Sequence, residues 1–326
     1  MSLDADHIVD RRRMRRKLTF WRVFAVVVLI LAIGAFAAAR GPRMLNVAGG
    51  DRIARVTISG LIRGDRDRVE ALAKLAKSRG VRAVIIHVDS PGGTTAGSEQ
   101  LHTSLRRLAE AKPTVVVVDG MAASGGYIAA MGADHIIAED TSLVGSIGVL
   151  VQFPNFADLL KTVGVNVETI RSTPLKAAPN GMEPTSPEAK AAMQAIVLDS
   201  YAWFRNMVQD RRKLSGDALE KVVDGRVFTG RQAIDLKLVD QLGDEQTAID
   251  WLAKEKGIDA KLPVRDWQLA PRFSELSFLH LGAAVALDAV GLPSLARRLE
   301  ETGSVQALER LNLDGLLALW HPPGAN

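Results

Sequence analysis

Thr114 through Tyr127 read TVVVVDGMAASGGY. Four valines in succession form an unbroken β-branched run. Such a run suits a strand buried on both faces, as in a parallel sheet, rather than one alternating between core and water. Asp119-Gly120 ends the run, and Met121–Met131 reads as a turn running into a helix. The same grammar occurs upstream. Val81–Val88 (VRAVIIHV) is a second buried strand, and it ends in Asp89-Ser90-Pro91-Gly92-Gly93. Between the two lies a helix over about 96–111, with Leu101, Leu105 and Leu108 on one side. Strand, helix, strand, turn, helix predicts parallel βαβ units with right-handed crossovers, hence the α/β class.

Working outward, a first strand is expected at about 52–58 and a helix over 66–79, with Val69, Leu72, Leu75 and Ala76 at helical spacing. A short strand follows at His135–Ala138, then a loop through Gly148. Further helical segments fall at about 155–163, 187–213, 230–236 and 244–256. No internal repeat or low-complexity stretch stands out. Residues 258–326 form a C-terminal extension, Leu- and Ala-rich from 270 onward and expected to be helical, with no role that its composition defines.

The formal net charge of +4 is unevenly distributed. Residues 1–43 hold nine Lys/Arg and three Asp, so the remainder of the chain is slightly acidic. The body therefore offers no broad cationic face for nucleic acid. Arg11–Lys17 is the basic cluster, and Leu18–Ala39 behind it is nearly all apolar, with Arg22 its only charge. As a helix those residues would span roughly 33 Å, about a bilayer core. Arg22 and Trp21 suit the interface, and the basic flank favours a cytoplasmic N-terminus. The expected layout is a cytoplasmic tail over 1–17, a single-pass anchor over 18–39, a linker over 40–51 and a body over 52–257, periplasmic or extracellular in a bacterium. A cleaved signal peptide is the competing reading, since Ala37-Ala38-Ala39 could supply a cleavage site. The chain has no cysteine. That excludes disulfides, thiolate metal sites and cysteine nucleophiles.

For chemistry, Ser124 in Ala-Ala-Ser-Gly-Gly follows a buried strand and opens a helix. There a serine can attack a carbonyl beside free backbone N–H groups that hold an oxyanion. Gly92-Gly93 can expose further N–H groups. Taken alone, the first segment reads more readily as small residues packing a helix on a sheet, and the second as a plain strand-to-helix turn. A serine nucleophile needs a base. The six histidines lie in no recognisable triad setting, and there is no His-Glu-x-x-His zinc pattern. Lysine is the other option, because burial favours its neutral form, but composition selects no particular one.

Several segments occur together in order: Asp89–Gly93, Met121–Tyr127, Gly145-Ser146-Ile147-Gly148-Val149, Gly225–Ala233, Leu238-Val239-Asp240 and Leu242-Gly243. This set, across about residues 52–257, resembles the signal peptide peptidase A family in its short, single-repeat form. The resemblance implies a fold like that of the Clp peptidase and the crotonases, a βαβ superhelix. It implies a Ser/Lys dyad, with Ser124 as nucleophile and Lys176 as general base, the latter following an expected strand at Val165–Ile170. It implies that Ser146 hydrogen-bonds the lysine and that the N–H groups of Gly93 and Gly125 form the oxyanion hole. No cofactor or metal is implied. The implied partners are apolar peptides such as remnant signal peptides, the lipid membrane, and further copies of the chain in a ring, commonly of eight subunits. Rival readings are a non-catalytic peptide-binding ring, a protease for one membrane protein, and an acyl-CoA enzyme of the crotonase type. After Lys176 the sequence Ala177-Ala178-Pro179-Asn180-Gly181 departs from the family pattern.

Overall fold

The computed structural model describes Trp21, residues 50–269 and the backbone of residues 317–319. The expected anchor over 18–39 otherwise lies outside the described residues, as does most of the C-terminal extension. Among the described residues, no helix is long and apolar enough to cross a membrane.

Among the described residues a nine-stranded sheet is the frame: β1 (Arg52–Ile62), β2 (Val81–Thr94), β3 (Thr114–Ala123), β4 (His135–Ala138), β5 (Leu143–Gly145), β6 (Val227–Thr229), β7 (Gln241–Leu242), β8 (Val264–Asp266) and β9 (Leu317–Leu319). The main order is β6-β5-β3-β2-β1-β8. β1, β2 and β3 are parallel, linked through α1 (Arg66–Lys77) and α2 (Thr95–Ala111). α3 (Gly125–Ala130) follows β3; then come α4 (Ala157–Thr162), α5 (Pro187–Arg212), α6 (Asp217–Glu220), α7 (Gly230–Asp235) and α8 (Glu245–Lys256). The mixed α/β class is as expected.

The buried runs face two cores. Val84, Ile86 and Val88 join the larger cluster with Leu72, Leu75, Leu101, Leu105 and Leu108. Ala83, Ile85, Val115 and Val117 turn to the other face, against Ala248 and Leu252 of α8. With apolar partners on both sides of the sheet, the period-2 alternation of a half-exposed strand disappears. Polar links pin α8 to this face. Arg55 on β1 pairs with Glu245 at 2.5 Å. The ring of His87 lies 2.9 Å from Glu245 at Nε2 and 2.8 Å from Asp119 at Nδ1. His87 is thus a satisfied structural group between two carboxylates.

Three expectations need correction. Val165–Ile170 is not a strand: among the described residues it joins no sheet, and Val165, Val167 and Ile170 are exposed. A β-branched run becomes a strand only where a neighbour accepts its backbone bonds. The sheet continues past the expected body boundary at 257, because Val264–Asp266 pairs parallel with Ile53–Arg55. Leu317–Leu319 is strand rather than helix, antiparallel to Gly92–Thr94. Helix propensity in Leu and Ala is worth only tenths of a kcal/mol per residue, about what one unfilled sheet edge can outweigh.

Candidate active site

β3 changes partner along its length, and that change builds the site. Its first half pairs with β4 through Val115–Val118, its second half with β5 through Met121–Ala123. Ala123 sits opposite Gly145, so Ser124 and Ser146 leave the two parallel strands side by side. The Ser124 N–H donates to the Gly145 carbonyl at 2.7 Å, and the Ser124 carbonyl accepts from the N–H groups of Tyr127 and Ile128, both at 3.0 Å. Ser124 is held at φ 54° and ψ −115° as the residue capping α3. An L-residue held there stores on the order of 1–3 kcal/mol, a kind of strain that clusters at functional positions. Its side chain makes no capping bond, and the residue is 1% exposed. Among the described residues, the N–H of Gly125 has no acceptor. Free N–H groups in the first turn of a helix suit an anion.

The glycine arm is set by a residue whose role the sequence did not reveal. Ser90 is fully buried; its Oγ donates to the Gly60 carbonyl at 2.7 Å and accepts from the Gly92 N–H at 3.1 Å. Ser90 thus ties the β2 end to β1. Asp89 Oδ1 accepts from the Met121 N–H at 3.1 Å, tying the same turn to β3. Gly93 is required by space, since a Cβ would fall 1.8 Å from the Ile62 carbonyl oxygen. Gly126 is required for the same reason, with a Cβ 2.6 Å from the Ser90 carbonyl oxygen. Ser90 and Gly126 therefore lock the β2 end against the helix behind Ser124.

Ser146 also has positive φ, 52°, and is 8% exposed. Its N–H donates to the Arg226 carbonyl at 2.8 Å, where β5 meets the antiparallel β6. A cavity of about 500 Å³ opens beside it, walled by Ile147, Val149, Leu198 and Tyr201 among others. Behind the site, the buried Tyr127 hydroxyl donates to the Leu238 carbonyl at 2.7 Å, and burial pushes its pKa up. Asp240 accepts from the Ile136 N–H and pairs with Arg212. Leu238-Val239-Asp240 is therefore scaffold, clamping α3 and β4.

Lys176 stands apart. It is exposed and, among the described residues, its ammonium has no hydrogen-bond or ion-pair partner. Its N–H donates to the Thr173 carbonyl at 3.0 Å within a turn. The surrounding stretch is held by its own short-range bonds: Arg171 with Glu183, and the Phe156 N–H to the Gly181 carbonyl at 2.7 Å. Five sequence-derived site residues thus divide. Gly93, Ser124, Gly125 and Ser146 converge at the strand ends. Lys176 is not joined to them by any hydrogen bond among the described residues.

Residues 106–259 match peptidase family S49. A Synechocystis sp. protein named as a protease is 37% identical over 209 residues, covering 64% of this chain and 76% of the relative. A protein of Enterococcus faecium named as a signal peptide peptidase, SppA, is 33% identical over 186 residues, covering 57% and 54% of the two chains. Among solved structures, a ClpP1 variant from Listeria monocytogenes is 14% identical with a TM-score of 0.40, covering 58% of this chain and 91% of that one. The strained serine at a strand end and the family match over the same strands agree: this chain belongs to peptidase family S49 and is a peptidase of the serine type.

Proposed function

We propose that the chain is a membrane-anchored endopeptidase that cleaves apolar peptides, such as signal peptides left in the bilayer after export, with a dyad of Ser124 and Lys176. The observation that carries this reading is Ser124 itself: buried, at positive φ, free of a capping bond, and next to a Gly125 N–H with no acceptor among the described residues. In the cycle, neutral Lys176 takes the Ser124 hydroxyl proton as Oγ attacks the scissile carbonyl. The N–H groups of Gly93 and Gly125 hold the oxyanion. Lys176 then protonates the leaving amine, and water releases the acyl group. Ser146 orients the lysine amine. The apolar cavity beside Ser146 supports an apolar side chain in the substrate.

A lysine base works only where desolvation favours its neutral form. In the single chain Lys176 is exposed, and so are its neighbours Phe153, Phe156, Leu159, Val163, Val165, Val167, Ile170, Leu175 and Met182. So much apolar surface on one stretch marks an interface. It supports a closed ring of copies, in the manner of a Clp peptidase, that covers this arm and desolvates the base. The apolar run at 18–39 and its basic flank support an inner-membrane anchor with the body outside the cytoplasm.

Labelling with a fluorophosphonate or β-lactone probe, followed by peptide mapping, tests the dyad. Label on Ser124 that disappears in Ser124→Ala and Lys176→Ala supports it. Label on Ser146, or wild-type peptidase activity in Lys176→Ala, overturns it.

A further inference from the structure

The charges of the body are sorted along the strand axis. β1, β2 and β3 run parallel, so one end of the sheet holds the strand starts and the other holds Ser124. Several segments meet at the starting end. The Arg52 N–H donates to the Gly80 carbonyl at 2.9 Å, and the Ile53 N–H to the Pro263 carbonyl at 3.1 Å. The Lys112 ammonium, ahead of β3, donates to the carbonyls of Ser78 and Val81, both at 2.8 Å. These bonds draw together the start of β1, the α1–β2 turn, the end of α2 and the chain between α8 and β8. Exposed cations surround that junction: Lys77, Arg79, Arg82, Lys254, Lys256 and Lys261. Arg82 lies 3.7 Å from Asp51, Lys254 3.7 Å from Glu255, and Lys256 sits over the Trp251 ring. Lys77, Arg79 and Lys261 have no ion-pair partner among the described residues. Glu110 and Asp259 offset the cluster in part. Acids prevail at the opposite end. Asp89 and Asp119 follow the apolar runs of β2 and β3, Glu139-Asp140 follows β4, and Asp244 caps α8. The slightly acidic total of the body conceals this separation.

A second observation supplies the partner. The chain enters the body at the basic end, at Asp51, and residues 40–50 join it to the apolar run that ends at Ala39. Such a tether reaches no farther than about 40 Å. We propose that the basic end of the body is a docking face for anionic phospholipid headgroups. This rests on the reading of residues 18–39 as a membrane anchor. A cation close to an anionic leaflet gains roughly fivefold in its equilibrium constant for that surface. Three unpaired cations on neighbouring turns multiply the gain, and the acids at the far end are repelled, so the body is oriented as well as tethered. Ser124 follows the ten residues of β3, which lift it roughly 30 Å above the strand start. A substrate peptide must then leave the bilayer and extend over that distance before the serine meets it. That selects extractable segments over those still fully inserted.

The chain has no cysteine, so one introduced thiol can be labelled alone. The full chain carrying Ala260→Cys at the basic end, or Ala96→Cys at the Ser124 end, is labelled with a donor dye. It is reconstituted into vesicles of phosphatidylcholine, alone or two-to-one with phosphatidylglycerol, each containing an acceptor lipid. Energy transfer from residue 260 should rise about 3-fold or more with phosphatidylglycerol, while transfer from residue 96 stays low in both. Salt that shortens the Debye length to on the order of 4 Å should remove the rise. So should Lys77→Glu, Arg79→Glu and Lys261→Glu combined, with Tm unchanged because all three side chains are exposed. The salt arm decides the matter if that variant fails to fold. Equal transfer from residue 260 in both vesicles, or a rise that survives salt, overturns the docking face and leaves the anchor standing. Equal transfer together with salt-sensitive binding of polyglutamate would assign the face to an acidic protein instead. A chain that floats only with anionic vesicles ends the anchor reading and keeps the docking face. A chain that floats with neither ends both.

Discussion

Residues 81–148 and residues 150–186 contrast sharply. In the first stretch every group near the site is fixed by the sheet. Ser90 is fully buried, Ser124 is 1% exposed and Ser146 8%. In the second, Ile170 is 102% exposed and Leu175 48%, and no described strand passes through. The serine side of the site is a by-product of strand pairing: once β3 trades β4 for β5, Ser124 and Ser146 leave the strands side by side. The arm bearing Lys176 has no core of its own. It is held by its own bonds, such as Arg171 with Glu183, and leaves its lysine exposed. The contrast predicts that damage to the first region costs folding and activity together, and damage to the second costs activity alone.

The largest separation should come from the proposed dyad. Ser124→Ala and Lys176→Ala are each expected to lower kcat/KM by about 10³ or more, the scale of losing a nucleophile or its base. Lys176→Ala should leave Tm unchanged, since that side chain makes no hydrogen bond or ion pair among the described residues. Paired kinetics and thermal melts check both. A large drop in Tm for Lys176→Ala would break the contrast.

Gly93→Ala is the counterpart in the first region. Its Cβ would meet the Ile62 carbonyl oxygen at 1.8 Å, and backbone atoms on two strands would have to part. The expected cost is about 1–3 kcal/mol or more, as for other overpacked sites. Denaturant unfolding should register that loss alongside reduced turnover. An unchanged midpoint would mean that the β1–β2 contact is looser than drawn.

These two regions also differed in how well the sequence revealed them. The strands of 81–138 were legible because unbroken β-branched runs end in Gly- and Ser-containing turns, which leaves few structural alternatives. Ser124 was a candidate from its strand–helix setting, but that setting alone read more readily as packing; the family pattern singled it out. Ser90 stayed hidden because its role depends on Gly60 and Gly92, and nothing in a lone serine signals partners on two strand ends. Val165–Ile170 misled in the opposite direction, since a strand-like pattern says nothing about whether an edge is available. Leu317–Leu319 was unreadable for a related reason. Its conformation is decided by a vacancy more than two hundred residues away in the chain, at Gly92–Thr94.

Ile170→Asp sharpens the contrast at the assembly level. The side chain is fully exposed in the isolated chain, so its replacement should not alter the stability of a single copy. In an assembly that buries it, a charge there should weaken association by about 2 kcal/mol or more, the scale of a buried anchor residue. Sedimentation should then show smaller species, with activity falling at dilutions where wild type stays assembled. Unchanged sedimentation and activity would place the interface elsewhere.

The smallest expected effect lies in the first region and is read by pH. His102 on α2 sits 2.8 Å from the Ile128 carbonyl through Nδ1, behind the helix that Ser124 caps. Burial holds its pKa below the usual histidine value. The unfolded chain therefore binds a proton at His102 before the folded chain does. Stability from this group is complete above the unfolded pKa, near 6.5, and is lost as pH falls toward the lower folded value. Denaturant midpoints of wild type should decline over that interval more steeply than those of His102→Gln. The positive charges of Arg211 on α5 and Arg106 on α2 act on His102 in the same direction as burial. Parallel slopes for the two proteins would mean that the helix behind Ser124 tolerates the imidazolium, and that the rigid side of the site is less rigid than its burial implies.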